Sequence, residues 1–148
     1  MGLRLSPQLF AHWPEQGFLM AEPVNPDDRA AMEQVPNLML LPSGLRPLDA
    51  FPYCMRHLGK PGFSTFSEAM ALDVGLHVVE RHGFAEVDAL LAGLQNHGRH
   101  RLLSRLQLES GDWQLDQPLE VPKELPLPAN GALQAAVCLI ELAEQHAD

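Results

Sequence analysis

Seven histidines are the residues of this chain best suited to chemistry: His12, His57, His77, His82, His97, His100 and His146. Imidazole titrates nearest neutrality and, when neutral, is the commonest metal ligand. His97-Gly98-Arg99-His100 places two rings three residues apart beside an expected helix end, and His82 follows the helix before it. His97, His100 and His82 are therefore candidate ligands for zinc or nickel. The competing reading needs no cofactor. It sets His82 and His97 near helix C-termini, where a partly cationic ring meets exposed carbonyls.

A catalytic reading would use His77 or His57 as a base, oriented by Asp73 or Glu80. Asp73 stands out because it interrupts an apolar stretch at Leu72-Asp73-Val74, and a buried carboxylate requires a partner. Alternatively, Asp73 and Glu80 share one solvated stripe of a helix. Motifs of high specificity are missing from the sequence. It has no phosphate-binding Gly-rich signature, no G-x-S-x-G, no H-E-x-x-H and no Cys-x-x-Cys.

Charge offers a different function. The formal net charge is −9, and it is unevenly spread. From residue 106 onward Lys123 stands alone against Glu109, Asp112, Asp116, Glu120, Glu124, Glu141, Glu144 and Asp148. Such a surface repels phosphate backbones, so no nucleic-acid partner is expected, and it attracts a protein with a basic surface. Asp112, Trp113, Asp116, Glu120 and Glu124 are the candidate partner-binding residues, with Trp113 read as an aromatic at a hairpin tip between acids. Simple solubility is the plainer explanation of the same charge. Arg99, Arg101 and Arg105 form a small basic strip expected to answer nearby carboxylates.

The elements that must position these residues are read from periodicity and punctuation. The 148 residues suit one globular domain spanning 1–148. Asn25-Pro26-Asp27-Asp28 predicts a helix start with a cap, a preset φ and carboxylates at the positive end of the dipole. Gly17–Ala21 and Asn37–Leu41 are short apolar runs that read as buried strands. Ser6-Pro7 and residues 49–58 suggest two further short helices. Thr65-x-x-Glu68 has the form of a capping box. It predicts a long apolar helix over about 66–81, paired with a second over 84–96. This central helical hairpin (about 66–96) would be followed by a β-hairpin (about 102–115), in which Leu106, Leu108, Trp113 and Leu115 share the buried face. A Pro-rich strap over 117–130 then leads to a C-terminal amphipathic helix with Leu133, Val137 and Ile140 inward. The expected fold class is α+β, mainly helical.

Only Cys54 and Cys138 occur, which suits a reducing compartment. Cys138 is expected to be a small buried hydrophobe. No secretory leader or stretch of membrane-spanning length is evident, so the expected location is cytoplasmic and no membrane is expected as a partner. Eight Arg against two Lys, with abundant Ala, Leu and Pro, suits a GC-rich bacterial genome.

Three functions follow. The first is a small acidic protein-binding accessory protein, of chaperone, inhibitor or immunity type, docking a basic surface of a larger partner. The alternative is a small histidine-based enzyme or metal-binding protein. The third is a degenerate winged-helix regulator, from the order helix, helix, hairpin over about 66–115. The metal reading makes its own prediction. Zinc or nickel should be stoichiometric in the purified protein, and His97→Ala or His100→Ala should lower its Tm.

Overall fold

A computed structural model describes residues 5–23, 25–81, 83, 85–125, 128 and 130–146. The architecture is mixed α/β with two small parallel sheets. Strands β1 (Phe18–Met20) and β2 (Leu38–Leu40) pair in parallel, Phe18 opposite Leu38. Helix α1 (Pro26–Glu33) connects them, and Asn25 accepts the Asp27 N–H as its cap. The predicted cap and both predicted strands are found here, but the strands are not buried as expected: Leu19 and Met39 at their centres are exposed. Ahead of β1 lies a 3₁₀ helix, Pro7–His12, and after β2 a second, Pro47–Tyr53.

The central region differs from the expected helical hairpin. It is a β-α-β-α-β unit: β3 (Arg56–Gly59), α2 (Phe63–Ala71), β4 (Gly75–Val79), α3 (Val87–His97) and β5 (His100–Leu103). The strands pair in the order β3-β4-β5, all parallel. The helix expected to reach residue 81 stops at Ala71 because the chain turns at Asp73, whose φ is +53°. Short-side-chained Asp enters this left-handed region more readily than most residues. The next residues, Gly75-Leu76-His77-Val78-Val79, are buried throughout. A strand covered on both faces reads as a continuous apolar run, which periodicity alone does not separate from a buried helix. Thr65 does not cap α2. The N-cap is Gly62, and Thr65 lies within the first turn.

The expected β-hairpin is absent from the described residues. β5 runs parallel to β4, and Ser104 then caps a short helix, α4 (Arg105–Ser110). Here the capping box forms: Ser104 Oγ accepts the Gln107 N–H at 3.2 Å, and Gln107 Oε1 accepts the Ser104 N–H at 2.9 Å. The alternation Leu106-Gln107-Leu108 thus belongs to a helix, with Leu108 buried and Leu106 exposed. Without the helical hairpin and the wing, the element order behind the winged-helix reading is not present.

Alternation along β4 divides the core. Leu76 and Val78 pack with Phe66, Ala69 and Leu94 of α2 and α3. Val79 and Leu103 pack on the opposite face with Phe10, Met32 and Trp113. Trp113, expected at an exposed tip, is 0% exposed. Its ring meets Phe10 and Phe18 edge-on, at 5.2 and 5.6 Å between centroids, and those two meet at 5.0 Å. Its Nε1 donates to the Leu108 carbonyl. The N-terminal segment is tied down by Asn37, whose Nδ2 donates to the carbonyls of Trp13 and Gln16 at 2.9 and 3.0 Å. Gly111 ends α4 at φ +80°, and a Cβ there would meet His12 Nδ1 at 2.5 Å.

Beyond α4 the strap returns along the edge of β5. Glu120 bridges His100 in antiparallel fashion, and the Lys123 and Glu124 N–H groups bond the carbonyls of Gln95 and Asn96 at the end of α3. Pro126, Leu127 and Ala129 of the strap lie outside the described residues. Helix α5 (Gly131–Gln145) forms where predicted, but none of its residues is buried. Leu133, Val137 and Ile140 face solvent, and Cys138 is exposed rather than packed. Among the described residues no helix is long and apolar enough to cross a membrane.

Trp113→Ala removes the ring that joins the sheet to the N-terminal layer. It should lower unfolding free energy by about 3–5 kcal/mol in urea titration. Gly111→Ala should also lower the urea midpoint, because it combines an unfavourable φ with a clash.

Candidate functional site

The parallel register gathers cations on the Trp113 face of the sheet. Leu58 pairs with His77 and His77 with Arg101, so the three side chains lie in one row. Arg56, two residues before Leu58, shares that face. Its Nη1 lies 3.0 Å from His77 Nε2 and 3.1 Å from the Gln117 carbonyl. Because a guanidinium only donates, His77 Nε2 must accept. The ring is then neutral with its proton on Nδ1. That atom is buried without a full hydrogen bond among the described residues.

His77 is 0% exposed. Burial pushes its pKa down to about 4, with Arg56 and Arg101 adding in the same direction and the Trp113 backbone opposing them. Burial, then Arg101 and Arg99, lowers the Arg56 pKa, while Asp116 raises it. Arg101 donates from Nη1 to Gln114 Oε1 at 3.0 Å and from Nη2 to the Pro118 carbonyl, and its Nε is buried without a partner among the described residues. Arg101 therefore does not answer a carboxylate as expected. Arg99 does, through Asp73 at 2.9 Å, and Arg105 does, through Glu109 at 2.8 Å.

Beside the edge strand β3 a cleft of about 410 Å³ opens between the two layers, lined by Phe18, Met20, Phe51, Leu58 and Trp113, with Arg56 in its wall. A second hollow, about 430 Å³, lies near the carboxyl end of β4 among Glu80, Arg81 and Asp88. No family model matches the chain, and neither a curated protein nor a solved structure matches it.

The predicted catalytic residues are not assembled. His57 pairs with Leu76 across the strands and so faces the α2 side, 5.2 Å from the Phe51 ring, whereas His77 faces the other layer. Asp73 is exposed in its turn and holds Arg99 through both its side chain and its carbonyl. It interrupts the apolar run because the helix ends there. The predicted metal ligands also separate. His97 Nδ1 lies 3.2 Å from the Leu125 carbonyl, and His100 Nδ1 lies 2.9 Å from the Gly98 carbonyl. His82 lies outside the described residues. Among the described residues no three His, Cys, Asp or Glu side chains are grouped to hold a metal.

The predicted partner-binding acids Asp112, Asp116, Glu120 and Glu124 are all exposed, each with a near polar neighbour. Glu120 Oε2 is 3.6 Å from His100 Nε2, and Glu124 Oε2 is 3.7 Å from His97 Nε2. Asp112 lies 3.4 Å from Gln107 Nε2, and Asp116 accepts from Gln117. Trp113 is sealed in the core and presents no surface. Sequence reasoning missed Arg56 and the unneutralised state of Arg101. The available signal was weak: Arg101 heads the apolar pair Leu102-Leu103, and Arg56 lies between Met55 and His57-Leu58.

The depressed pKa of His77 has a definite pH consequence. Below the unfolded value of about 6.5, the unfolded chain binds a proton that the folded chain refuses until about pH 4. Stability should therefore fall as pH drops through this window. The loss attributable to His77 is at most ~3 kcal/mol. His77→Gln should flatten that part of the stability–pH curve, measured by urea unfolding at pH 7 and pH 4.5.

Proposed function

We propose that this chain is an acidic protein-binding accessory domain, and that α5 is its docking element. The reading rests on one observation. A fifteen-residue helix carries Leu133, Val137, Leu139, Ile140 and Leu142, and no residue of it is buried. An isolated helix of this length is marginal in water. Burying each large side chain contributes roughly 1.5–3 kcal/mol. A helix of such composition is therefore stabilised by a surface that covers it. Leu133, Val137 and Ile140 are spaced i, i+4, i+7, the pattern of anchors in a helix-in-groove complex.

The same helix gives the partner's chemistry. It carries Glu141 and Glu144 and no Lys or Arg. Among the described residues neither acid makes an ion pair. A groove with an apolar floor and a Lys- or Arg-lined rim complements both features. A second copy of α5 fits less well, because it would set unneutralised carboxylates against one another.

The test uses the full chain as bait under a salt titration, followed by reconstitution with the purified captured protein. Binding should weaken as salt rises. Ile140→Ser should weaken it about tenfold or more, and Glu141→Lys with Glu144→Lys should also weaken it, more at low salt. Binding unaffected by Ile140→Ser would overturn the assignment to α5. So would light scattering that finds a dimer dispersed by Ile140→Ser, since the occupant would then be a second copy.

A further inference from the structure

The cleft beside β3 carries an inference independent of α5. Its size is that of a small-molecule site, and its walls are mainly apolar, with Phe18, Met20 and Leu58 partly exposed and Phe51 and Trp113 buried behind them. One wall is cationic. Arg56 is half-buried, and both its hydrogen-bond partners, His77 Nε2 and the Gln117 carbonyl, are neutral. Arg101, beyond His77, likewise bonds only neutral acceptors. No carboxylate lies within 4.0 Å of either guanidinium among the described residues. Asp116 acts on Arg56 from farther away, and Arg99 is already held by Asp73. His77 adds no negative charge, since it is neutral, and its position between the arginines closes the row.

A partly desolvated cation without a counter-ion is unfavourable, and an anion brought to it gains a charge-assisted hydrogen bond. An apolar hollow favours the removal of hydrocarbon from water. The two demands are met together by one kind of molecule. We propose that the cleft binds a small amphipathic organic anion, with its acidic group on Arg56 and its apolar body against the partly exposed Phe18, Met20 and Leu58.

Decanoate and decanol are suitable probes, because they share a hydrocarbon tail and differ in charge. Binding to the full chain is read from tryptophan fluorescence, since Trp113 lies directly behind Phe18 in the cleft wall, and checked by calorimetry. Decanoate should bind about tenfold or more tightly than decanol. Arg56→Gln should erase that preference while leaving decanol within about twofold, and Arg56→Lys should restore part of it. Gly17→Leu gives a second arm. Gly17 lines the cleft, and a Cβ there meets nothing within 4 Å. The variant should fold, keep its arginines and lose affinity for both probes. Failure of decanoate to bind, or binding no tighter than decanol, would overturn the proposal. Unchanged decanoate affinity in Gly17→Leu would overturn it too, by placing the probe elsewhere, for example on α5.

Discussion

Burial of β4 on both faces is the constraint from which the remaining structure follows. A three-stranded parallel sheet of four- and five-residue strands has little hydrogen bonding of its own. Its central strand is stable only when both faces are covered. Helices α2 and α3 supply one cover through Phe66, Ala69 and Leu94. The opposite cover comes from distant segments: the first 3₁₀ helix, β1, β2 and the turn after α4, locked by the three edge-on rings of Phe10, Phe18 and Trp113. A buried central strand leaves no solvated position for a polar residue. His77 is therefore inside, where Arg56 meets its Nε2 and its Nδ1 has no full hydrogen bond among the described residues.

That placement sorts the arginines. Arg99 and Arg105 lie where carboxylates can reach them and form exposed ion pairs, each of modest energetic weight. Arg56 and Arg101 extend over the sheet face under the segment 113–118, where the available acceptors are carbonyls, an amide and an imidazole. A protein with a net charge of −9 thus holds a local cationic row beside an apolar cleft. Net charge describes the long-range field, whereas a recognition site depends on which charges remain unneutralised at close range.

Helix α5 follows a different logic. The strap docks on β5 and the end of α3 through main-chain hydrogen bonds, so the chain is anchored as far as Glu124. The apolar helix beyond it is left without cover. The proposed docking helix and the proposed ligand cleft therefore rest on different residues.

Much of the local structure was legible in the sequence. Asn25-Pro26 marks the start of α1, the runs at 18–20 and 38–40 are strands, and α3 and α5 lie close to their expected bounds. Two capping-box patterns occur, at Thr65–Glu68 and Ser104–Gln107, and only the second caps a helix. Four residues define the pattern, but where the chain enters the helix decides its use. The sequence by itself determined element starts, the scarcity of high-specificity catalytic motifs and the acidic excess, because these depend on neighbours within a few positions. Tertiary structure alone decided that 75–79 is a strand, that Trp113 is a core residue, that α5 is uncovered and that Arg56, His77 and Arg101 meet. Each depends on contacts between segments far apart in the chain, and an apolar run has the same composition whether a helix or a sheet finally buries it.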